Sequence, residues 1–282
     1  MIYAFVTIYN PNKFVTDNMI ALSSQVDKIY LLDNSNTNCS AQFSSIKNTE
    51  YIFFCKNLGL SAAFNRVLKE KTFNDDDFII FFDQDSHISD EHINILCKEY
   101  KKLEDRGFAL GCLGPVYFNT SSGIVEIPKQ KKQLTEHSYS VKSIITSSML
   151  TRYKILKDID FWNEEIFLDM ADWDVCWRFI ASKKLCCMTD AVTLNHTLGN
   201  GEKKIGLLRV REGSPFREYY QTRDCLYLLK KNYVPFKFKI RFMLMITVRP
   251  ILHFLFLPNK RKRLFYIKQG IHDYRNGIHG CL

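Results

Sequence analysis

The chain has 282 residues and a mass of 33.1 kDa, 46% hydrophobic and 24% charged, a globular balance that excludes intrinsic disorder, collagen-like repeats and disulfide miniproteins. Its net charge of +9 is uneven: residues 225–282 carry twelve Lys or Arg against the single acid Asp273, which leaves residues 1–224 at −2. A near-neutral body with a basic, apolar tail suggests a catalytic or binding domain followed by a segment that meets anions or a membrane surface.

Met1 opens directly into the strand-like run IYAFVTI with no secretory signal, and nine cysteines, an odd number, form no CxxC pair. The expectation is a cytoplasmic protein with reduced thiols. β-rich runs follow at Ile2 to Ile8, Lys28 to Asp33, Tyr51 to Cys55 and Phe78 to Asp83, each bounded by Asn, Asp or Ser. Between them, Leu60, Ala63, Phe64, Val67 and Leu68 share one helical face. Alternating strand and helix with doubly apolar strands predict an α/β fold on a mostly parallel sheet, with ligands at the carboxyl ends of the strands.

A helix is predicted after Asp90, with Ser89 as N-cap and Gly107 at its end. Residues 108–150 read as further strands around a polar stretch, PKQKKQLTEHS. An apolar stripe from Tyr219 to Tyr233 predicts a helix leading into the tail, and the domain end is placed near residue 224. The longest apolar run, Phe242 to Leu257, is shorter than the ~20 residues a bilayer span needs, and Arg249-Pro250 interrupt it. No transmembrane helix is predicted.

Four segments carry chemistry. In FIIFFDQDSH an apolar strand ends at Asp83 and Asp85 follows two residues later; paired carboxylates suit Mg²⁺ or Mn²⁺, which keep waters and bind phosphates, although Asp is also common in plain turns. In EEIFLDMADWDVCWRF, Asp174 and Arg178 are spaced to pair on one helical face, whereas Asp172 has no such partner. A carboxylate in apolar surroundings has a raised pKa, which suits a general base. In LNHTLGNG, His196 follows a strand-like run and could stand beside a phosphate or metal. In NLGLSAAFN, Asn57 and Gly59 lie between strand and helix, where backbone amides can approach an anion.

Taken in order, TIYNP, LLDNSN, NLGLSAAFN, DQD, FLDMADWDVCWR and the late His196 resemble the inverting nucleotide-sugar glycosyltransferases of family two, which have the GT-A fold. The resemblance covers nearly the whole chain. It implies a Rossmann-like, mostly parallel central sheet with flanking helices, a nucleotide-binding half over about 1–105, an acceptor half over about 106–224, and a basic, helical, membrane-associating extension at 225–282. The segment HTLGNG, then SPFREYYQTRDCLYLLKK, then the basic tail is similar to bacterial rhamnosyltransferases of surface-polysaccharide assembly, whose donor is dTDP-L-rhamnose. Galactofuranosyltransferases share this architecture, so a UDP-linked donor is the alternative.

Residue by residue, the resemblance places Thr7, Tyr9 and Asp33 in the nucleoside pocket with Asn57 and Asn65 near it. Asp83 and Asp85 become the DxD that meets ribose and the Mg²⁺ or Mn²⁺ ion, with His196 completing the metal shell. Asp172 becomes the general base and Arg178 a brace of the acidic loop; the neighbouring acid of the usual pair is replaced by Ala171. Arg217 and Arg223 are expected to close a lid over the diphosphate. The implied acceptor is a lipid-linked saccharide at the inner face of the cytoplasmic membrane, where the apolar residues of 242–256 beside KRKR, Lys260 to Arg263, suit an interfacial helix. A nucleic-acid binder would also be basic, but the charge lies in the apolar tail and no nucleic-acid-binding signature appears, so no nucleic-acid partner is expected.

Overall fold

Runs of branched and aromatic residues that are apolar at consecutive positions make strands buried on both faces. Such runs form β1 (Ile2–Ile8), β2 (Lys28–Asp33) and β4 (Phe78–Asp83), while β3 (Thr49–Phe53) is half-buried at the sheet's edge. The structure, a computed structural model, describes the chain except at residues 120–123, 129, 197–201, 206–207 and 212–213, with backbone alone at 119, 124, 126, 196, 202–205 and 208–211. Between these strands lie α1 (Phe14–Ser23) and α2 (Leu60–Glu70). Next come α3 (His92–Asp105), β5 (Leu110–Asn119), β6 (Ile124–Glu126), β7 (Lys132–Gln133), β8 (Ser138–Val141), β9 (Met149–Arg152), α4 (Tyr153–Asp158), α5 (Ala171–Ala181) and β10 (Leu185–His196). A small hairpin, β11 (Glu202–Ile205) and β12 (Leu208–Arg211), precedes α6 (Arg217–Leu229), α7 (Phe236–Phe256) and α8 (Lys260–Arg275).

The main sheet runs β3-β2-β1-β4-β9-β5-β10-β8-β7, with β6 beside β5. Strands β3, β2, β1 and β4 are parallel, β9 is antiparallel to β4, and β5 and β10 are parallel to each other. Side chains alternate across the sheet with period two. Ala4, Val6, Ile80 and Phe82 pack with α1 and α3, whereas Phe5, Ile79 and Phe81 pack with Phe64 of α2 and Val175 and Trp177 of α5. Cys112, Cys176 and Cys186 bring their sulfurs within 4.8 Å of one another in that second layer. Fully buried among apolar side chains, they act as small core hydrophobes.

Three expectations need correction. Ser89 does not cap α3: the residue before the helix is Glu91 at φ 60°, and Ser89 contributes only its backbone carbonyl, accepting from the His92 N–H at 3.3 Å. The polar stretch 128–138 contributes the edge strand β7. The boundary near residue 224 falls inside α6, and the tail is joined to the body. Phe238 of α7 lies 4.7 Å from Trp177 and 5.4 Å from Trp173 of α5, and Phe242 is buried in the layer behind the sheet. Helix α7 continues through Pro250. Among the described residues, no helix is long and apolar enough to cross a membrane.

Candidate active site

Parallel register brings three predicted residues to one edge of the sheet. Thr7 lies opposite Asp83 across β1 and β4, and Ile8 lies opposite Asp33 across β1 and β2, so Thr7, Asp33 and Asp83 share the carboxyl ends of neighbouring strands. This is where the direction of chain crossover changes, the usual ligand crevice of an open α/β sheet. The buried Asp33 accepts the Tyr51 hydroxyl on one oxygen and the Ser35 N–H at 2.7 Å on the other, which leaves lone pairs for a further donor. Tyr9 is exposed, and its backbone is held by Gln84: its N–H donates to Oε1 at 2.8 Å and its carbonyl accepts from Nε2 at 3.3 Å. The middle residue of DQD thus ties the loop after β1 to the loop after β4, a role that its sequence position did not reveal.

The Asp83 and Asp85 side chains have no hydrogen-bond or ionic partner among the described residues. Burial, then the neighbouring Asp85, pushes the Asp83 carboxyl up to about 6. Two neighbouring carboxylates without a counter-charge among the described residues fit a hard divalent cation. The next residue, Ser86, hydrogen-bonds Ser147 in the turn before β9. His87 forms a bridge with Asn195, so β10 ends beside the DQD loop at His196. The backbone of His196 is therefore where a third ligand would start, while its side chain lies outside the described residues.

The second acidic segment reaches the same place. Asp172, half-buried in the first turn of α5, has its carboxyl pushed up to about 8 by burial, then by Cys176 one turn along and by Asp83, against the Trp173 N–H that donates to Oδ1 at 2.8 Å. Asp83 is thus among the charged groups that Asp172 feels, though burial dominates. Asp174 points elsewhere: buried, it accepts the Tyr233 hydroxyl at 2.6 Å and stands 3.8 Å from Arg178. Arg178 donates to the carbonyls of Phe161, at 2.5 Å, and Ile159, so it fixes the turn leading into the acidic loop.

The remaining predicted contacts are distributed differently. Asn65 is buried, donating to the Trp162 carbonyl at 2.8 Å and to Glu164 and accepting from the Trp162 N–H at 3.0 Å; both ends of its amide hold the 162–164 turn and none is left for a nucleotide. Asn57 accepts the Gly59 N–H at 2.9 Å, and Asn34 clasps the same turn through the Leu58 N–H and the Gly59 carbonyl. Arg217 stands 3.8 Å from Asp169 at the start of α6, half-exposed. Arg223 does not belong to a lid: it is fully buried and bound to Asp224, Tyr219 and Gly280.

Gly59 is needed twice over. Its φ of 80° and ψ of −179° are a conformation that essentially only glycine adopts, and an added Cβ would lie 2.6 Å from the Phe167 ring. Gly59→Ala is therefore expected to cost about 2–4 kcal/mol, read by urea denaturation; an unchanged midpoint would contradict the close packing of this turn on the acidic loop.

Residues 3–160 match the family model of Glycosyl transferase family 2. The chain is 27% identical to dTDP-rhamnosyl transferase RfbF of Shigella flexneri over 291 residues, covering 99% of this chain and 96% of that protein. Among solved structures it resembles GalNAc-T7 with UDP, GalNAc and Mn²⁺, at a TM-score of 0.59 and 11% identity; 99% of this chain is covered, and it spans 58% of that one. It also resembles S. aureus TarS 1–349, at a TM-score of 0.56 and 15% identity over 99% of this chain and 83% of that one. The fold is that of the GT-A group, as the sequence predicted.

Proposed function

The chain belongs to glycosyl transferase family 2, and we propose that it moves L-rhamnose from dTDP-L-rhamnose onto a saccharide acceptor, with inversion at the anomeric carbon. The observation that supports the reaction is the Asp83–Asp85 pair at the strand ends, without a partner among the described residues, with the carboxyl of Asp172, raised by burial, under the influence of Asp83. Thr7, Tyr9 and Asp33 line the nucleoside end, and Asp33 accepts a hydrogen bond from the base or ribose. Asp83 and Asp85, with His196, hold the divalent cation; bound there, it would neutralise charge growing on the departing diphosphate. Asp172 takes the proton of the acceptor hydroxyl, whose oxygen attacks the anomeric carbon opposite the leaving group, and Arg217 swings from Asp169 to the diphosphate.

The rhamnosyl donor rests on the whole-length similarity to the Shigella protein. Calorimetric titration with dTDP-L-rhamnose, UDP-galactofuranose and UDP-glucose in Mg²⁺ or Mn²⁺ tests it. The expected result is that dTDP-L-rhamnose binds at least about tenfold tighter, roughly 1.4 kcal/mol. Preference for a UDP-sugar would replace the donor and leave the reaction class intact.

The acceptor side of the proposal is a lipid-linked saccharide at an anionic membrane surface. Ile240, Met243, Leu244, Val248, Ile251 and Leu255 are all exposed on α7, and Lys260, Arg261 and Lys262 follow at the start of α8. Helix α7 packs against α5, which carries Asp172, so a bilayer under α7 would present a lipid-borne hydroxyl near the base. The protein is expected to co-sediment with vesicles containing phosphatidylglycerol, to be released by salt, and to lose binding in the double variant Leu244→Glu, Ile251→Glu. Unchanged sedimentation of that variant would exclude the α7 face.

A further inference from the structure

We infer that Arg223 is a positioning residue, coupling the segment Ile278–Cys281 to the acidic loop that leads into Asp172; the inference rests on the transferase reading only for what that loop does. Arg223 is fully buried. Its Nη1 donates to the Gly280 carbonyl at 2.7 Å and to the Tyr219 hydroxyl at 3.0 Å, and its Nε donates to Asp224 at 3.0 Å. Asp224, itself buried, accepts the Phe167 N–H at 3.0 Å, and the Leu168 N–H lies close enough to favour its charged form. The chain of contacts therefore runs carbonyl to guanidinium to carboxylate to loop amide; Nη2 of Arg223 has no hydrogen-bond partner among the described residues, so the buried guanidinium is held by Nη1 and Nε alone.

Two further contacts parallel this path. Tyr220 stacks on Phe167 with ring centroids 4.4 Å apart and planes 12° from parallel, and its hydroxyl accepts the Leu282 N–H at 3.1 Å. Tyr227 donates its hydroxyl to the Ile278 carbonyl at 3.3 Å and carries the His279 ring at 4.6 Å. Beyond Phe167, the loop is held by Gln221, which donates to Asp169 at 2.7 Å, and Cys225 touches Met170, two residues before Asp172. On its other side Phe167 closes against Gly59. One face of α6 thus fixes the whole stretch 167–170, and His279 and Gly280 line a cavity of about 490 Å³ together with Asn57 and Leu58.

A loop set in this way delivers Asp172 to a fixed position, and an error of about 1 Å at a reacting group can lower a rate about 100-fold. The test compares the full chain with Arg223→Lys and with a chain ending at Asn276, which removes the carbonyls but no buried charge. Hydrogen exchange at the Phe167 and Leu168 amides is expected to accelerate at least about tenfold, while amides inside α5 and the sheet keep their protection. Affinity for dTDP should stay within about threefold and turnover should fall about 10- to 100-fold, a kcat effect rather than a KM effect.

Unchanged exchange at Phe167 would overturn the coupling, and so would acceleration spread evenly over α5 and the sheet, which reports lost folding instead. Faster exchange confined to the loop, in a protein that turns over no nucleotide sugar even as the full chain, would sink the transferase reading while the coupling stands.

Discussion

Asp172→Asn is expected to lower kcat about 10²- to 10⁴-fold, the range of a general base, while leaving the affinity for the donor within about threefold. The same substitution should make the protein more stable. In the fold the Asp172 carboxyl is pushed up to about 8 from an ordinary 3.8, chiefly by burial. A carboxyl raised in this way favours the native state when protonated. Its contribution is complete below about pH 4, is lost steadily as the pH rises toward 8, and is gone above that, where the native state must hold a buried charge. An amide carries no such charge, so the Tm advantage of the variant should grow between pH 4 and pH 8 and then level off. Loss of turnover with a pH-independent change in Tm would mean that Asp172 is not desolvated as described. A cation at Asp83 and Asp85 would oppose the shift, so the advantage should narrow when Mn²⁺ and nucleotide are present.

Asp83→Asn and Asp85→Asn are each expected to reduce turnover about 10²- to 10³-fold, the scale of losing several kcal/mol of charge stabilisation. Calorimetry should show that Mn²⁺ no longer strengthens dTDP binding. The two variants should differ when no metal is present. Asp85 is exposed, and its charge is the second cause, after burial, of the raised Asp83 pKa. Removing it should therefore bring the Asp83 titration down from about 6 toward the usual carboxylate range, which a carbon-detected NMR titration reads directly. An unmoved Asp83 would mean that burial alone sets its pKa and that the two carboxylates do not share a site.

The fold was legible where a residue's environment follows from its neighbours in sequence. β1, β2 and β4 are apolar at every inner position, and α2 repeats at 3.6 residues, so their bounds match expectation closely. The misses are contacts between residues far apart in the chain. Asn65 sits on α2 at a position fit for the nucleotide pocket, but its amide is consumed 97 residues away at Trp162. Arg223 reads as an exposed helical arginine until α8 and the segment after it cover α6. Ser89 has the chemistry of an N-cap, and only the left-handed Glu91 moves the helix start past it. The tail read as separate because charge changes sharply at residue 225, whereas aromatic packing of Phe238 and Phe242 on α5, invisible in composition, joins it to the body. Among the candidate site residues, Asp83, Asp85 and Asp172 stand out in the sequence because isolated acids at strand or helix ends in apolar segments have few structural uses. Gln84 and the side chain of Asn34, which tie the loops around them, do not stand out, because amides in loops carry no such signal.

In the proposed reaction the Asp83–Asp85 pair and Asp172 form one metal-dependent transfer site. This is tested most directly by release of dTDP from dTDP-L-rhamnose by the purified protein with Mn²⁺, before and after EDTA and after Mn²⁺ is restored. Slow release that stops with EDTA, returns with the metal, and is absent in Asp172→Asn supplied with an acceptor is expected. Release that continues unchanged in excess EDTA, or that survives in Asp172→Asn, would contradict it.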